Sequence, residues 1–363
     1  MENKYRQLAK MIDEHPVGAP LSKEFMQILE ILYPPAELDM ALLLSFKPKK
    51  LEEIAPAAGL SEEATAKILE EMAAKGTILS KTSKGARVYK LLPILAGFFE
   101  YTTMSDKFDA DTREKLKQLW HYYYKKDFVH ELGESEPPWM RVLPAQTALM
   151  QPDQVVPYEI ASELIRNKSK SIAVGKCSCR VIEHNCDKPT DTCLGFDEAA
   201  DFMIEYGLAR KITVDEALDV LRICEEAGLV HMNSNNKNNL LFICNCCPDC
   251  CHLFRAYTEF NYPHTIGKSS FQAQVEDDLC TGCGICVEDR CPVDGALKMI
   301  DEIAVTNGEL CIGCGLCVTA CPTDAISLVK RAEPPRVPET IVELSQEAVK
   351  TKRANRANPD FIR

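Results

Sequence analysis

The sequence predicts an α+β chain of several domains, and three observations carry the prediction. All 18 cysteines lie between Cys177 and Cys321, which confines the metal-ligating chemistry to one stretch of 363 residues. The cysteine-free segment before it alternates helical runs with a hairpin pattern. The stretch from Phe271 to Lys330 repeats itself, which implies two pseudo-symmetric halves sharing a core. Composition shifts divide the chain into five parts: 1–103, helices and a hairpin; 104–170, a helical and proline-rich connection; 171–265, a small cysteine-rich α+β unit; 271–330, the βαβ pseudo-repeat; and 331–363, a tail. A chain of this length can bury more than one core.

Composition narrows the setting. Met1–Pro20 is charged and lacks the apolar region of a signal peptide. Ala41–Phe46 and Leu91–Phe99, the longest apolar stretches, fall short of the ~20 residues needed to span a bilayer. Both point to a cytoplasmic protein without a transmembrane segment, although docking on a membrane subunit stays open. In a reducing compartment a dense cysteine array reads as metal ligands rather than disulfides. A net charge of −12 makes non-specific nucleic-acid binding by the whole chain unfavourable.

In the first part, Leu38–Phe46, Lys50–Ala58 and Ser61–Lys75 read as helices, the last with Ser61 as N-cap and Gly76 just past its end. Thr77–Ser80 and Arg87–Leu91 alternate as strands around a tip at Thr82–Gly85. Three helices followed by a hairpin wing resemble a winged-helix domain. That resemblance implies DNA reading through the third helix, but Glu62, Glu63, Glu70 and Glu71 there would repel a duplex. The wing is basic, with Lys81, Lys84, Arg87 and Lys90, and Lys47, Lys49 and Lys50 open the second helix. Protein docking is the preferred role.

Asp106–Val129 is helical, and Trp120–Tyr124 is either a contact surface or internal packing. Glu131–Pro157, broken by Pro137, Pro138, Pro144, Pro152 and Pro157, reads as a wrapping linker. Tyr158–Asn167 returns to helix, and Ser171–Gly175 is a strand delivering Cys177. Phe196–Tyr206 and Thr213–Ala227 are helices, the second opened by a Thr213/Glu216 capping box. Leu229–Met232 and Leu240–Cys244 form a hairpin around an asparagine-rich turn. In the tail, a helix extends at most over Pro338–Lys352.

In the repeat, Cys280, Cys283 and Cys286 are echoed by Cys311, Cys314 and Cys317, and each half ends in Cys-Pro, at Cys291 and Cys321. Ala296–Ile300 and Ala325–Val329 follow as strands. The second half spells C-x2-C-x2-C-x3-C-P, so the module resembles a bacterial two-cluster ferredoxin of the clostridial type. The resemblance implies two [4Fe-4S] clusters with crossed ligands: Cys280, Cys283, Cys286 and Cys321 for one, Cys291, Cys311, Cys314 and Cys317 for the other. It also implies that each fourth cysteine opens a short helix, and that the setting is anaerobic metabolism. Four residues separate Cys286 from Cys291 where three are usual, so the chain there must bulge or start its helix one residue later. Zinc sites also use paired Cys-x2-Cys, but the third cysteine and the Cys-Pro, both repeated, favour clusters. Gly282, Gly284, Gly313 and Gly315 let backbone amides approach the sulfurs. Acidic residues outnumber basic ones, a face suited to a basic patch on a redox partner.

Ten cysteines remain in 171–265. Cys177, Cys179, Cys186 and Cys193 form one set and Cys244, Cys246, Cys247, Cys250 and Cys251 another, converging if strands 171–175 and 240–244 pair. These nine are candidate ligands of one or two further clusters, because thiolates this dense repel without metal. Adjacent cysteines such as Cys246-Cys247 fit poorly on one cubane, which leaves an unusual, substrate-binding cluster open. Cys224 sits at an apolar helical position and reads as buried. His184 and His252 flank ligands and read as exposed or supporting residues.

Taken together, the residues point to an electron-transfer subunit in a hetero-oligomer with a flavin- or metal-bearing oxidoreductase. Two alternatives remain: a redox-sensing DNA-binding regulator, and a reductase whose central cluster binds substrate. No dinucleotide fingerprint, phosphate loop or catalytic triad appears, so no catalytic residue is assigned.

Overall fold

The amino-terminal helices form because apolar residues recur at helical spacing. In the computed structural model, which describes residues 1–134, 136–149 and 157–357, α1 (Glu2–Asp13) buries Tyr5, Leu8 and Ile12. Helix α2 (Lys23–Leu32) buries Phe25, Ile28, Leu29 and Leu32, with Ser22 capping the amide of Phe25. The expected helices follow as α3 (Pro35–Leu43), α4 (Leu51–Ala58) and α5 (Glu62–Lys75), separated by β1 (Lys49–Lys50). Lys49 and Lys50 pair with Tyr89 and Val88, and Lys50 is also the N-cap of α4, its amide donating to the Glu53 carboxylate at 2.7 Å. The cap at Ser61 and the left-handed Gly76 are as expected. Strands β2 (Ile78–Ser83) and β3 (Ala86–Leu91) meet at a tighter turn than expected, Lys84-Gly85, whose two positive φ angles suit a hairpin. The three strands run in the order β1-β3-β2.

Three more helices lead to the cysteines. They are α6 (Phe99–Met104), α7 (Ala110–Tyr123) and α8 (Val129–Gly133), the last two joined by a π turn. Trp120, Tyr123 and Tyr124 are buried and only Tyr122 faces solvent. Tyr123 stacks on Phe25 at 5.0 Å and Tyr124 on His252 at 4.0 Å, so this aromatic run packs the interior.

The central region is built on one seven-stranded sheet. Its elements are β4 (Met140–Leu143), α9 (Ala161–Lys168), β5 (Ile172–Lys176), α10 (Ser178–Glu183), β6 (Asp191–Phe196), α11 (Glu198–Glu205), β7 (Arg210–Lys211), α12 (Val214–Glu226), β8 (Val230–Ser234), β9 (Phe242–Cys246), α13 (His252–Thr258) and β10 (Ile266–Gly267). The order is β10-β4-β8-β9-β6-β5-β7. Three expectations are corrected here. The proline-rich linker contains β4, four buried residues paired antiparallel with β8, because its prolines flank the strand and leave its amides free. Pro152 of that linker lies outside the described residues. Strands β5 and β9 do not pair, because β6 lies between them, bonded to both. Phe196 ends that strand, and the helix assigned to it starts at Glu198. The β8–β9 hairpin and the Thr213/Glu216 capping box are as expected.

The carboxy-terminal repeat forms two antiparallel pairs. Strand β11 (Phe271–Val275) pairs with β14 (Ile326–Lys330), and β12 (Leu297–Ile300) with β13 (Ile303–Thr306). The first strand thus pairs with the last, which interleaves the halves without a parallel βαβ crossover. Neither Cys291 nor Cys321 opens a helix; turns that begin at Pro292 and Pro322 follow both and lead into β12 and β14. Helix α14 (Ile341–Ala357) runs five residues beyond the expected end at Lys352, and residues 358–363 lie outside the described residues. Its Leu344 and Ala348 are buried, and Lys352 bonds to the Pro16 carbonyl at 2.9 Å and to Glu131. One apolar core consequently runs from Tyr5 to Ala348.

Contacts also tie the hairpin to the central region. Lys81 pairs with Glu198 at 2.8 Å, and Arg87 with Glu205 at 2.6 Å and Glu70 at 3.1 Å. The Tyr206 hydroxyl donates to Glu70 at 2.6 Å. Of the wing's basic residues, Lys81 and Arg87 are engaged within the chain.

Candidate metal centres

The repeat places its eight cysteines around two cavities. One is lined by Cys280, Cys283, Cys286 and Cys321, the other by Cys291, Cys311, Cys314 and Cys317. Each takes three cysteines from one loop and the fourth from the other half, which follows from the interleaved strands. The first lies distal, with Cys283 exposed. The second faces the main core, which includes Ile312, Cys314 and Leu316, and the Ala145 amide bonds to the Cys314 carbonyl at 2.8 Å.

Both loops turn through left-handed glycines. At Gly313, φ is +71° and an added Cβ would sit 2.1 Å from the Phe271 carbonyl oxygen, so no other residue fits. The extra residue in the first loop is absorbed as a π turn over Cys286–Arg290, closed by the Cys291 amide on the Cys286 carbonyl at 3.1 Å. It swings Arg290 onto the carbonyls of Glu225 and Glu226, at 3.3 and 2.8 Å, where α12 ends. A cation there also meets the negative end of the helix dipole.

Burial keeps the thiols of the inner cavity protonated unless a cation stabilises their thiolates. Burial pushes the Cys314 thiol up to about 12 and Cys317 well above the ordinary thiol range. Backbone amides offset this in part. Burial raises Cys321 too, but N–H donors from Thr323, Ala325 and Ile326 bring it below the usual value. The Ala273 amide donates to Cys311 Sγ at 3.5 Å. Such donors stabilise thiolates held by metal.

The central cysteines separate into two groups. Cys177, Cys179, Cys193, Cys244, Cys246 and Cys251 form an open ring with its ends at Cys193 and Cys177: Cys193 meets Cys244, Cys244 meets Cys246, Cys246 meets Cys251, Cys251 meets Cys179 and Cys179 meets Cys177. Neighbouring sulfurs and then burial push Cys179, Cys193 and Cys246 well above the ordinary range, while Cys244 and Cys251 accept from those neighbours and are held low. The second group is Cys186, Cys247 and Cys250, whose sulfurs all lie within 4.8 Å of one another. The awkward adjacent pairs are thereby resolved: Cys246 and Cys251 serve the ring, Cys247 and Cys250 the trio. Cys224 is fully buried beside Leu229, Cys247 and Cys250, as expected. His184 is exposed, and His252 is buried with Nε2 on Glu183 at 3.0 Å.

Sequence reading missed two residues here. Arg180 is 2% exposed, and its guanidinium donates to the Asn245 carbonyl at 2.7 Å and to Thr192. It lies close to Cys177, Cys246 and Cys247, which raise its pKa against the effect of burial. Its Nε is buried with no protein acceptor, so the site holds a donor for an acceptor the chain does not supply. The signal was Arg180 directly after Cys177-x-Cys179. The second is Glu100, whose carboxylate accepts from the Gly97 amide at 2.7 Å. Burial, then the charges of Cys244 and Cys177, push it up to about 8. Nothing in its sequence context marked it.

A family match falls on the second half of the repeat. Residues 304–327 match the 4Fe-4S binding domain. The matched segment holds Cys311, Cys314, Cys317 and Cys321, so each cavity receives at least one cysteine from it. No curated protein and no solved structure matches the chain significantly. The 4Fe-4S match, the clustered thiols and the buried donors support iron-sulfur binding and a capacity for electron transfer. Among the described residues, no helix is long and apolar enough to cross a membrane.

Proposed function

We propose that the chain is an iron-sulfur electron-transfer subunit, relaying low-potential electrons between a donor and a partner oxidoreductase in anaerobic, cytoplasmic metabolism. The observation that carries this reading is the pair of four-cysteine cavities with crossed ligand sets. Cys280, Cys283, Cys286 and Cys321 would hold one [4Fe-4S] cluster and Cys291, Cys311, Cys314 and Cys317 the other, as in a two-cluster ferredoxin. Bound there, the clusters supply one-electron redox chemistry. The six-thiol ring would hold a third cluster, with Arg180 offsetting its charge.

The chain's own residues set direction. Around the distal cavity, Cys283, Leu279 and Ile300 are exposed amid Glu276, Asp277, Asp278, Glu288 and Asp289. This acidic rim with apolar contacts suits a basic partner in a hetero-oligomer. The winged-helix-like region, whose hairpin packs on α11 of the central region, acts as a protein-docking element. The DNA-binding alternative would need the wing's cations free, and Lys81 and Arg87 are paired inside the chain. One observation favours the reductase alternative: the ring has six thiols where a cubane takes four, leaving donors for a substrate.

Anaerobic purification with iron and sulfide quantitation tests the proposal. About twelve iron atoms per chain and reversible reduction are expected. A colourless or redox-silent preparation would refute it. Turnover of a substrate with an artificial donor would favour the reductase.

A further inference from the structure

The trio Cys186, Cys247 and Cys250 differs in scale from the cavities that suit a cluster. Cys186 Sγ lies 3.7 Å from both Cys247 Sγ and Cys250 Sγ. Thiolates on one tetrahedral ion with metal–sulfur bonds of about 2.3 Å stand about 3.8 Å apart. Thiolates on a cubane sit on different iron atoms and must be farther apart. Among the described residues, this is the group whose potential ligand atoms are gathered within 4.8 Å.

The backbone is arranged for bound thiolates as well. The Lys188 amide donates to Cys186, the Asn185 amide to Cys250, and the Cys250 amide to Cys247. Cys247-Pro248-Asp249-Cys250 is a Cys-x2-Cys turn directly after β9, and Cys186 comes from the loop between α10 and β6. Asn185 Nδ2 donates to the Asp249 carbonyl at 3.0 Å and fastens the two loops together. Three thiolates and one divalent ion carry a net charge of −1, and Arg180, which reaches Cys247 from the ring side, is shared between the ring and the trio in offsetting it. Cys186 is half-exposed, which gives the ion a path to solvent.

We propose that Cys186, Cys247 and Cys250 bind a single zinc ion, with the fourth coordination position facing solvent, separate from the cluster held by the ring. Binding displaces the thiol protons, up to three per zinc, with no change in oxidation state. The central region therefore carries one cluster and one mononuclear site rather than two clusters. The site pins the 185–190 loop to the end of β9 and so fixes where Cys246 and Cys251 enter the ring.

The test is metal analysis of the anaerobically purified full chain, with zinc and iron measured separately. About one zinc per chain is expected, with sulfur neighbours at about 2.3 Å by zinc X-ray absorption. Cys250→Ser should lose the zinc and keep iron and visible absorption. Cys251→Ser should lower iron and leave zinc. Loss of about four irons from Cys250→Ser would make the trio cluster ligands, and loss of a single iron would make the ion iron; either overturns the proposal. So would zinc-free protein with a disulfide among the three, found by peptide mass mapping without reductant. The absorption spectrum of the unaltered chain decides the matter even if a variant fails to fold. Because zinc is read independently of iron, failure here leaves the electron-transfer reading standing, and the reverse.

Discussion

The repeat and the central region solve the same problem, gathering thiols around metal, by opposite routes. In the repeat, three cysteines follow one another in a glycine turn, so local spacing does most of the gathering and the interleaved strands add one long-range ligand to each cavity. In the central region, the ring's cysteines come from the middle of β6, the middle and end of β9, and the starts of α10 and α13. Neighbours in sequence there part company, as Cys246 and Cys247 do, while residues about seventy apart meet, as Cys179 and Cys251 do. Ligand sets are readable from spacing where the loop makes the site, and unreadable where the sheet does.

That difference has consequences for redundancy. Each cavity in the repeat has four cysteines and none to spare, whereas the ring has six. Cys314→Ser is expected to give the largest effect, loss of about four irons per chain and of the matching reduction step, checked by iron quantitation and EPR. Cys244→Ser should do less, keeping more than half of the ring's iron. Equal losses from the two variants would abolish the distinction.

The same contrast governs how much the sequence revealed. The Cys-Pro repeat announces iron-sulfur chemistry, and the four-residue gap before Cys291 predicts the bulge that is present as a π turn. The β8–β9 hairpin was legible from alternation around an asparagine turn. Strand β6 was not, because Asp191–Phe196 carries Asp, Thr, Cys and Gly and shows no apolar alternation until it is sandwiched between β5 and β9. Strand β4 hid among prolines that flank it. Helix α1 did carry a signal, Tyr5, Leu8 and Ile12 at helical spacing, masked by its many charges. Arg180 had its place directly after Cys179 as a signal, whereas Glu100 became visible only through its position beside sulfur.

Behind the ring, Glu183 joins elements that neither route would gather. Its carboxylate accepts from His121 at 2.8 Å, His252 at 3.0 Å and Arg255 at 2.8 Å, linking α7, α10 and α13. Burial pushes this carboxyl up, but the bonds from His252 and His121 and the charge of Arg255 prevail and hold it at about 2. Glu183→Gln should destabilise the folded chain by about 3 kcal/mol at neutral pH, measured as a lower urea midpoint, because Arg255 loses a buried counter-charge. The folded carboxyl lies below its ordinary value of 4.5, so its stabilisation is complete above that pH and is lost as pH falls toward about 2. The gap between the unaltered chain and the variant should therefore narrow on acidification below about 5. A constant gap would mean that Glu183 acts through shape alone.

The smallest expected effect isolates the one place where the repeat departs from its own symmetry. The extra residue before Cys291 changes no cysteine, yet it carries Arg290 to the carbonyl end of α12. If the insertion served cluster binding, Arg290→Ala would alter iron content or potential. If it serves attachment, the variant should keep its iron and lose about 1 kcal/mol, the worth of charge-assisted bonds at a partly exposed helix end. Faster hydrogen exchange at the end of α12, with unchanged EPR spectra, would distinguish attachment. The geometry favours it, because the π turn returns Cys291 to its cavity while turning the guanidinium away from the sulfurs and toward the central sheet's helix.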